Sequence, residues 1–333
     1  METLQHSIEI PPGLAGRRLD QALAELFPDY SRSRIKAWIL AGRVALEGET
    51  AAPRTRVAAG QRVDLRPVLD AQVMDHPEAM DLSILYQDDD VLVIDKPAGL
   101  VVHPGAGHRG GTLINGLLHH DPGLAALPRS GLIHRLDKDT SGLLLVARTV
   151  AAHTRLVRDL EERRIMREYR AVCVGRLTAG GSVRAPIGRH PTHRTRMAVT
   201  DRGRPAVTHY RVLARFAAHS LLAVRLETGR THQIRVHLAH IRHPLVGDPD
   251  YGGRLVVPAG ARPELADALR AFHRQALHAS RLAFPHPVKR HQVELTAPFP
   301  ADLLGLLRAL DESGQPVSHF EQLQWPEAGP RWN

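Results

Sequence analysis

A chain of 333 residues exceeds one ordinary hydrophobic core and fits two domains, or a small module carried on a larger one. Its net charge of +9 and isoelectric point near 10.3 favour a polyanionic partner, of which nucleic acid is the commonest. The lone cysteine, Cys173, excludes a disulfide framework and a cysteine-rich zinc site, so a metal would need His, Asp and Glu ligands.

At the N-terminal end, Leu19, Ala22, Leu23 and Leu26 share one face and predict a helix over Arg18–Phe27. A second helix starts at a cap within Ser31–Ser33, turns Ile35, Trp38 and Ile39 inward and stops at Gly42. Strands follow at Val44–Leu46 and Arg62–Leu65, with a turn at Glu47-Gly48. Basic residues, among them Arg32, Arg34 and Lys36, fall on the solvent side of this unit. A charged face on a small domain is often only solvated. Here, however, the order of pieces through SRSRIKAWILAGRVALEG resembles the S4 RNA-binding module, which implies a helix face laid on structured RNA. This sets a domain over residues 1–76. The connection that follows, with Pro67, Pro77 and no periodicity, reads as a linker ending at 77–82.

The second domain, 83–311, opens with strands at Ile84–Tyr86 and Val91–Ile94 around Asp88-Asp89-Asp90, and Lys96-Pro97-Ala98-Gly99 breaks the pattern. Gly105, Gly107 and Gly110 satisfy a G-x-G-x-x-G pattern before a helix capped by Thr112. Pro104 nevertheless precedes the first glycine and residues 124–134 hold no acid, so these glycines read as turns and no nucleotide cofactor is expected. Val150–Ile165 reads as an amphipathic helix and Glu168–Val174 as a strand around Tyr169. Residues 184–204 hold six arginines, two histidines and one acid. Without acidic partners such charges repel, so Arg189, Arg194 and Arg196 are read as phosphate contacts on a loop or hairpin. Paired strands at Val207–Leu213 and Leu221–Glu227, a helix in THQIRVHLAHI, a helix at Pro263–Phe272 and strand-like pieces at Ala276–Phe284 and Gln292–Leu295 complete the pattern. The polar, proline-interrupted stretch 312–333 reads as a flexible tail. No apolar run approaches the roughly 18 residues of a membrane helix, and Met1–Pro11 lacks the apolar centre of a signal peptide, so a cytoplasmic location without membrane contact is expected.

The chemistry concentrates in Gly131–Arg148, GLIHRLDKDTSGLLLVAR. Asp137 has Arg135 and Lys138 as near neighbours, which favour the ionised form of its carboxylate; an ionised carboxylate serves as a nucleophile or a charge stabiliser. An Asp in a turn rich in Ser, Thr and Gly also commonly does no more than bond backbone amides. His232, His237, His240 and His243, with His278 and Asp248, offer an alternative metal set and a nuclease-like reading, but their spacing matches no helical zinc motif and no metal is expected. Asp137 with Asp139 as a glycosidase-like pair is a further option.

The set HRLDKDTSGLLLVA, MREYRAV, LETGRTHQIRVHLAHIRHPLVGDPDYGG and QALHA resembles the motifs of the RluA family of pseudouridine synthases. PIGRHPTHRTRMAV together with the S4-like module is most similar to that family's ribosomal large subunit pseudouridine synthase D branch. The resemblance covers residues 10–300. It implies an α+β catalytic fold on a large mixed, mostly antiparallel sheet with flanking helices. It also implies isomerisation of uridine to pseudouridine without cofactor or metal, by a monomer acting on 23S ribosomal RNA or a large-subunit assembly intermediate, at the helix 69 stem-loop. By the family motif, Asp137 is the nucleophile, attacking C6 of the base or C1′ of the sugar. Tyr169 stacks on the base, Arg235 pairs with the carboxylate, Arg135 fills the space of the flipped nucleotide and Leu277 forms an apolar floor. Arg230 and His232 touch backbone or phosphate. A non-catalytic RNA-binding factor with the same fold is the rival reading.

Overall fold

The computed structural model describes residues 6–27, 32–65, 76–103, 110–193 and 195–325, and the chain divides into two compact units at Met74/Asp75. Pro67, Gly105, Gly107 and Arg194 lie outside the described residues, as do the side chains of Arg32 and Arg34 and residues 326–333.

In the first unit, β1 (His6–Glu9), α1 (Leu19–Leu26), α2 (Arg32–Leu40), β2 (Val44–Leu46), β3 (Glu49–Thr50) and β4 (Arg62–Leu65) follow in order. The strands form an antiparallel sheet in the order β1-β4-β2-β3. Leu19, Leu23, Ile35 and Trp38 of the helices bury their apolar faces with Val44, Val63 and Leu65 of the sheet. These are the residues whose helical spacing and strand alternation define the elements in the sequence. Lys36 is exposed.

The second unit holds β5 (Ile84–Gln87), β6 (Val91–Lys96), α3 (Leu113–His120), β7 (Ser141–Ala147), α4 (Val150–Glu161), β8 (Met166–Val174), β9 (Gly181–Arg184), β10 (Ile187–Arg189), β11 (Met197–Val199), β12 (Val207–Arg215), β13 (His219–Leu226), α5 (Gln233–His240), α6 (Pro263–Ala271), β14 (Leu277–Pro285), β15 (Gln292–Thr296), α7 (Ala301–Leu310) and α8 (Ser318–Gln322). Among the described residues a nine-stranded sheet runs β5-β6-β7-β14-β8-β13-β12-β9, with β15 also on β14. Only β7–β14 is parallel, so the sheet is mixed and mostly antiparallel. A separate hairpin, β10–β11, carries part of the basic stretch.

The uninterrupted apolar run of β7 follows from burial on both faces. Leu144 and Val146 join Leu113 and Leu117 of α3 and Ile234 and Leu238 of α5, whereas Leu143, Leu145 and Ala147 pack on Ala152 and Leu156 of α4. Farther along the sheet, α6, α7 and Phe320 of α8 bury Val172 and Leu221. Tyr169, Ala171 and Cys173 of β8 belong to the cluster shared with α3 and α5. Gly142 sits where β7 meets β14: at φ +108° a Cβ would lie 2.2 Å from the Ala279 carbonyl, so only glycine permits this approach.

Two expected boundaries change. Residues 77–82, read as a linker, are docked on α3: Glu78 N donates to the Asn115 carbonyl at 3.0 Å, Gly111 N to the Glu78 carboxylate at 2.9 Å, and Leu82 packs on the core. The stretch after 311, read as a flexible tail, contains α8, and Phe320 is 3% exposed. Both bind through backbone groups and single side chains, which leave no periodic signature. The helix α7, not anticipated from the sequence, buries Leu303, Leu306, Leu307 and Leu310.

Candidate active site

The turn between Ile133 and β7 carries Asp137, and its backbone is pinned from several directions. The ammonium of Lys96, fully buried at the end of β6, donates to the carbonyls of Pro97, Leu100 and Lys138 at 2.7, 3.0 and 2.8 Å. Burial pushes its pKa down to about 8, against the pull of Asp139 and Asp137, which leaves it charged at neutral pH with every proton used. Arg274, clamped on Asp302 at 2.5 and 2.8 Å, donates to the Asp139 carbonyl at 3.2 Å, and Gln275 Nε2 holds Thr140 Oγ1 at 3.0 Å. Lys138 and Asp139 therefore matter here through their peptide carbonyls.

The Asp137 carboxylate, with 16% of its side chain exposed, faces Arg235 Nη1 at 3.5 Å and His232 Nε2 at 3.9 Å. Arg235 is bound more tightly elsewhere: Asp248 takes it bidentately at 2.7 and 2.8 Å, Asp250 at 2.8 Å, and its guanidinium lies over the Tyr251 ring. Burial opposes its charge, but the Asp248 pair outweighs that and raises its pKa. The guanidinium is thus a rigid positive wall rather than an exclusive partner of Asp137. At 3.5 Å, the long limit of a hydrogen bond, Arg235 leaves lone pairs of Asp137 free for attack.

His232, cap of α5, is left-handed at φ 56°, an uncommon conformation for a non-glycine residue. Its Nδ1 lies 2.8 Å from the Tyr251 hydroxyl, which accepts from Met197 N at 2.9 Å. A hydroxyl engaged in that way is set to donate to Nδ1, placing the His232 proton on Nε2 toward Asp137. Burial lowers the His232 pKa while Asp137 opposes the shift. Through Met197 the basic hairpin is tied to the site, and Arg196 meets Asp250 at 3.6 Å, so one of the arginines expected to lack an acidic partner has one.

A cavity of about 500 Å³ brings together Arg135, Asp137, Tyr169, Arg230, His232, Arg235 and Leu277 from four distant segments. Tyr169 and Leu277 are each 4% exposed. Burial raises the Tyr169 pKa, so the phenol is neutral at pH 7. Arg135 is exposed, and Arg230 donates to the Pro205 carbonyl at 3.2 Å. Arg189 and Arg196 lie on the hairpin, and Lys36 belongs to the other unit.

Three of the other histidines considered as ligands are engaged separately. His237 spans Thr208 Oγ1 and the Ala185 carbonyl at 2.8 and 2.9 Å, His243 meets the Val174 carbonyl at 2.9 Å, and His278 meets Ser141 Oγ at 2.9 Å. Elsewhere Asp88, Asp90 and His286 approach one another. His286 Nδ1 accepts from Val288 N and Lys289 N, so its Nε2 carries the hydrogen given to Asp88, and the Lys289 ammonium occupies the same carboxylate. That donor set suits an ion pair rather than a metal.

Residues 90–240 match the RNA pseudouridylate synthase model and residues 17–63 the S4 domain. A relative from Xanthomonas campestris pv. campestris, named ribosomal large subunit pseudouridine synthase D, is 56% identical over 303 residues, covering 91% of this chain and 92% of the relative. The chain belongs to the RNA pseudouridylate synthase family. Relatives of the same name from Vibrio parahaemolyticus and Salmonella typhi are 54% and 51% identical, covering 89% and 97% of this chain and 91% and 99% of theirs. Among solved structures, human RNA pseudouridylate synthase domain containing 1 matches with TM-score 0.54 and 26% identity over 75% of this chain and 98% of its own. As a member of this family the protein is an RNA pseudouridine synthase, an isomerase, and its catalytic unit has the expected fold.

Reading the sequence missed Lys96, Gln275 and Arg274, and considered Asp248 only as a metal ligand. Lys96 had one visible signal: it is one of only four lysines in an arginine-rich chain and ends an apolar strand. Asp248 and Asp250 form an acidic island just beyond the basic helix.

Proposed function

We propose that this protein converts uridines of 23S ribosomal RNA, in the helix 69 stem-loop, to pseudouridine in the cytoplasm. The observation that carries the reading is the Asp137 carboxylate, held in a basic cleft beside Arg235 with Tyr169 and Leu277 in the same wall. The likeness to relatives named ribosomal large subunit pseudouridine synthase D supports the choice of RNA. The target base leaves the stack and enters the cleft, an extrusion costing a few kcal/mol that Arg135 offsets by filling the vacated space. Tyr169, neutral at pH 7, stacks on the base, and Leu277 supports it from below. Asp137 attacks C6 or C1′ while Arg235 stabilises the carboxylate. The N1–C1′ bond breaks, the base rotates, C5 joins C1′ and gives up its proton, and N1 takes up a proton, so the isomerisation balances without oxidant or reductant.

Contacts to phosphate from Arg230 and His232 near the cleft, from Arg189, Arg194 and Arg196 around the hairpin, and from Arg32, Arg34 and Lys36 of the S4 unit position the RNA. Asp137→Asn is expected to retain fold and RNA affinity and to form no pseudouridine; residual isomerisation well above background would overturn the assignment. Pseudouridine mapping in a strain lacking the protein tests the target: helix 69 uridines still modified there would refute that part.

A further inference from the structure

Most buried cations of the catalytic unit have an evident partner: Arg170 has Glu168, Arg235 has Asp248, Arg274 has Asp302 and Lys96 has three carbonyls. Arg167 is the exception among them. It is 8% exposed, and its Nε is shut from water without an acceptor among the described residues. It precedes Tyr169 by two positions on β8, so it projects from the same face of the sheet and lines the same cleft. Gly229 borders it closely: a Cβ at that position would lie 3.2 Å from Arg167 Nη1.

His134 lines the same cleft. His134 Nε2 accepts from Leu145 N at 3.2 Å, so the ring hydrogen is on Nδ1, and that atom too is buried and unpartnered. Burial and the Arg167 charge keep the imidazole neutral. Two residues that line one cavity, one of them charged, therefore each hold a buried N–H without an acceptor among the described residues. A largely buried cation with no carboxylate partner among the described residues is unfavourable in the free protein, and a ligand that brings negative charge offsets that cost.

We propose that Arg167, with neutral His134 in the same wall, is the receptor for an anionic oxygen of the target nucleotide. The proposal rests on the functional reading above and names a substrate contact within it. Such an oxygen has two sources. One is a phosphate flanking the target uridine. The other is a uracil carbonyl. Attack of Asp137 at C6 drives the C5–C6 electron pair through C4 onto O4, whereas departure of the base from C1′ leaves the N1–C1′ pair on the ring, shared with O2 and O4. Either route puts negative charge on the base, where preorganised donors count most.

The test uses the full-length protein and a synthetic stem-loop carrying the target uridine, with single-turnover pseudouridine formation as readout. Arg167→Met is expected to slow turnover about 10²-fold, with a melting temperature equal to or above wild type, and Arg167→Lys to recover part of the rate. A neutral methylphosphonate beside the target separates the sources. With a phosphate contact it slows wild type and leaves Arg167→Met no slower; with a carbonyl contact it affects both proteins equally, and the loss in Arg167→Met falls in kcat rather than KM. Arg167→Met at the wild-type rate would overturn the proposal. So would a slow variant with a lowered melting temperature and no recovery by lysine, which would mark a structural role. Wild type forming no pseudouridine would overturn the functional reading as well, whereas active wild type with an unaffected variant overturns this proposal alone.

Discussion

Lys96 shows how one side chain joins the turn of Gly99 to the turn of Asp137. Its three acceptors belong to the residue after it, to Leu100 and to Lys138, so one ammonium closes both turns against the end of β6. Replacing it with Met keeps the volume and strands the carbonyls of Pro97 and Leu100, while that of Lys138 loses a charge-assisted bond and keeps the one from Gly99 N at 3.0 Å. Lys96→Met is therefore expected to lower stability by about 2–4 kcal/mol and to slow turnover by moving the Asp137 turn. A urea denaturation curve and a single-turnover rate check this; unchanged values in both would show that the carbonyls find other donors. Arg167 differs in one respect. Both cations are buried, but only Lys96 is satisfied within the protein, and that difference separates a positioning residue from a substrate receptor.

At the scale of elements, the C-terminal segment is part of the catalytic unit. Glu168, fully buried on β8, is held by Arg170 and Arg225 at 2.5 and 2.7 Å. The Leu323 carbonyl accepts from Arg170 Nη2 at 2.6 Å, and the Trp325 ring lies 4.2 Å from the Arg225 guanidinium carbon. Phe320 meanwhile enters the core beside Phe216, and the Glu321 carboxylate accepts from Phe299 N. A chain ending at Asp311 loses an aromatic core residue and uncovers an Arg–Glu–Arg cluster directly behind the strand that carries Tyr169. The expected cost is about 3–5 kcal/mol, visible as a lower urea midpoint; an unchanged midpoint would mean that the segment is held only weakly.

Across the whole molecule, histidine burial sets an acid limit on stability. Burial lowers the pKa of His134 to about 3 and that of His278 to about 4, and it lowers those of His209, His219 and His237 as well. Their folded values lie below the unfolded value near 6.5, so the stabilisation is complete above pH 6.5. It is lost as pH falls toward 4 because the unfolded chain takes up protons that the folded chain refuses. His134 and His278 alone give a slope of up to about 2.7 kcal/mol per pH unit in that window. Urea midpoints measured from pH 7.5 to 4.5 should fall progressively below 6.5; a flat profile would contradict neutral burial of these rings.

What could be read along the chain and what could not separate along physical lines. Apolar spacing, glycine turns and caps act over a few residues, so most helices and strands of both units were legible, as were the motifs around Asp137, Tyr169 and Arg235. The same locality hid α7, the docked strap at 77–82 and α8, whose anchoring partners are far away in sequence. It also left charge pairing undetermined. Whether a side-chain donor is spent inside the protein depends on groups tens of residues distant, as with Arg196 and the Asp250 carboxylate, Lys96 and the Lys138 carbonyl, or Gln275 and the Thr140 hydroxyl. The motifs and their spacing were enough to show the family resemblance, which named the reaction. Only the packed sheet decided that Arg235 is shared with Asp248 and that Arg167 has no carboxylate partner among the described residues, because an ion pair forms through space in a low-dielectric interior whose neighbours the fold selects.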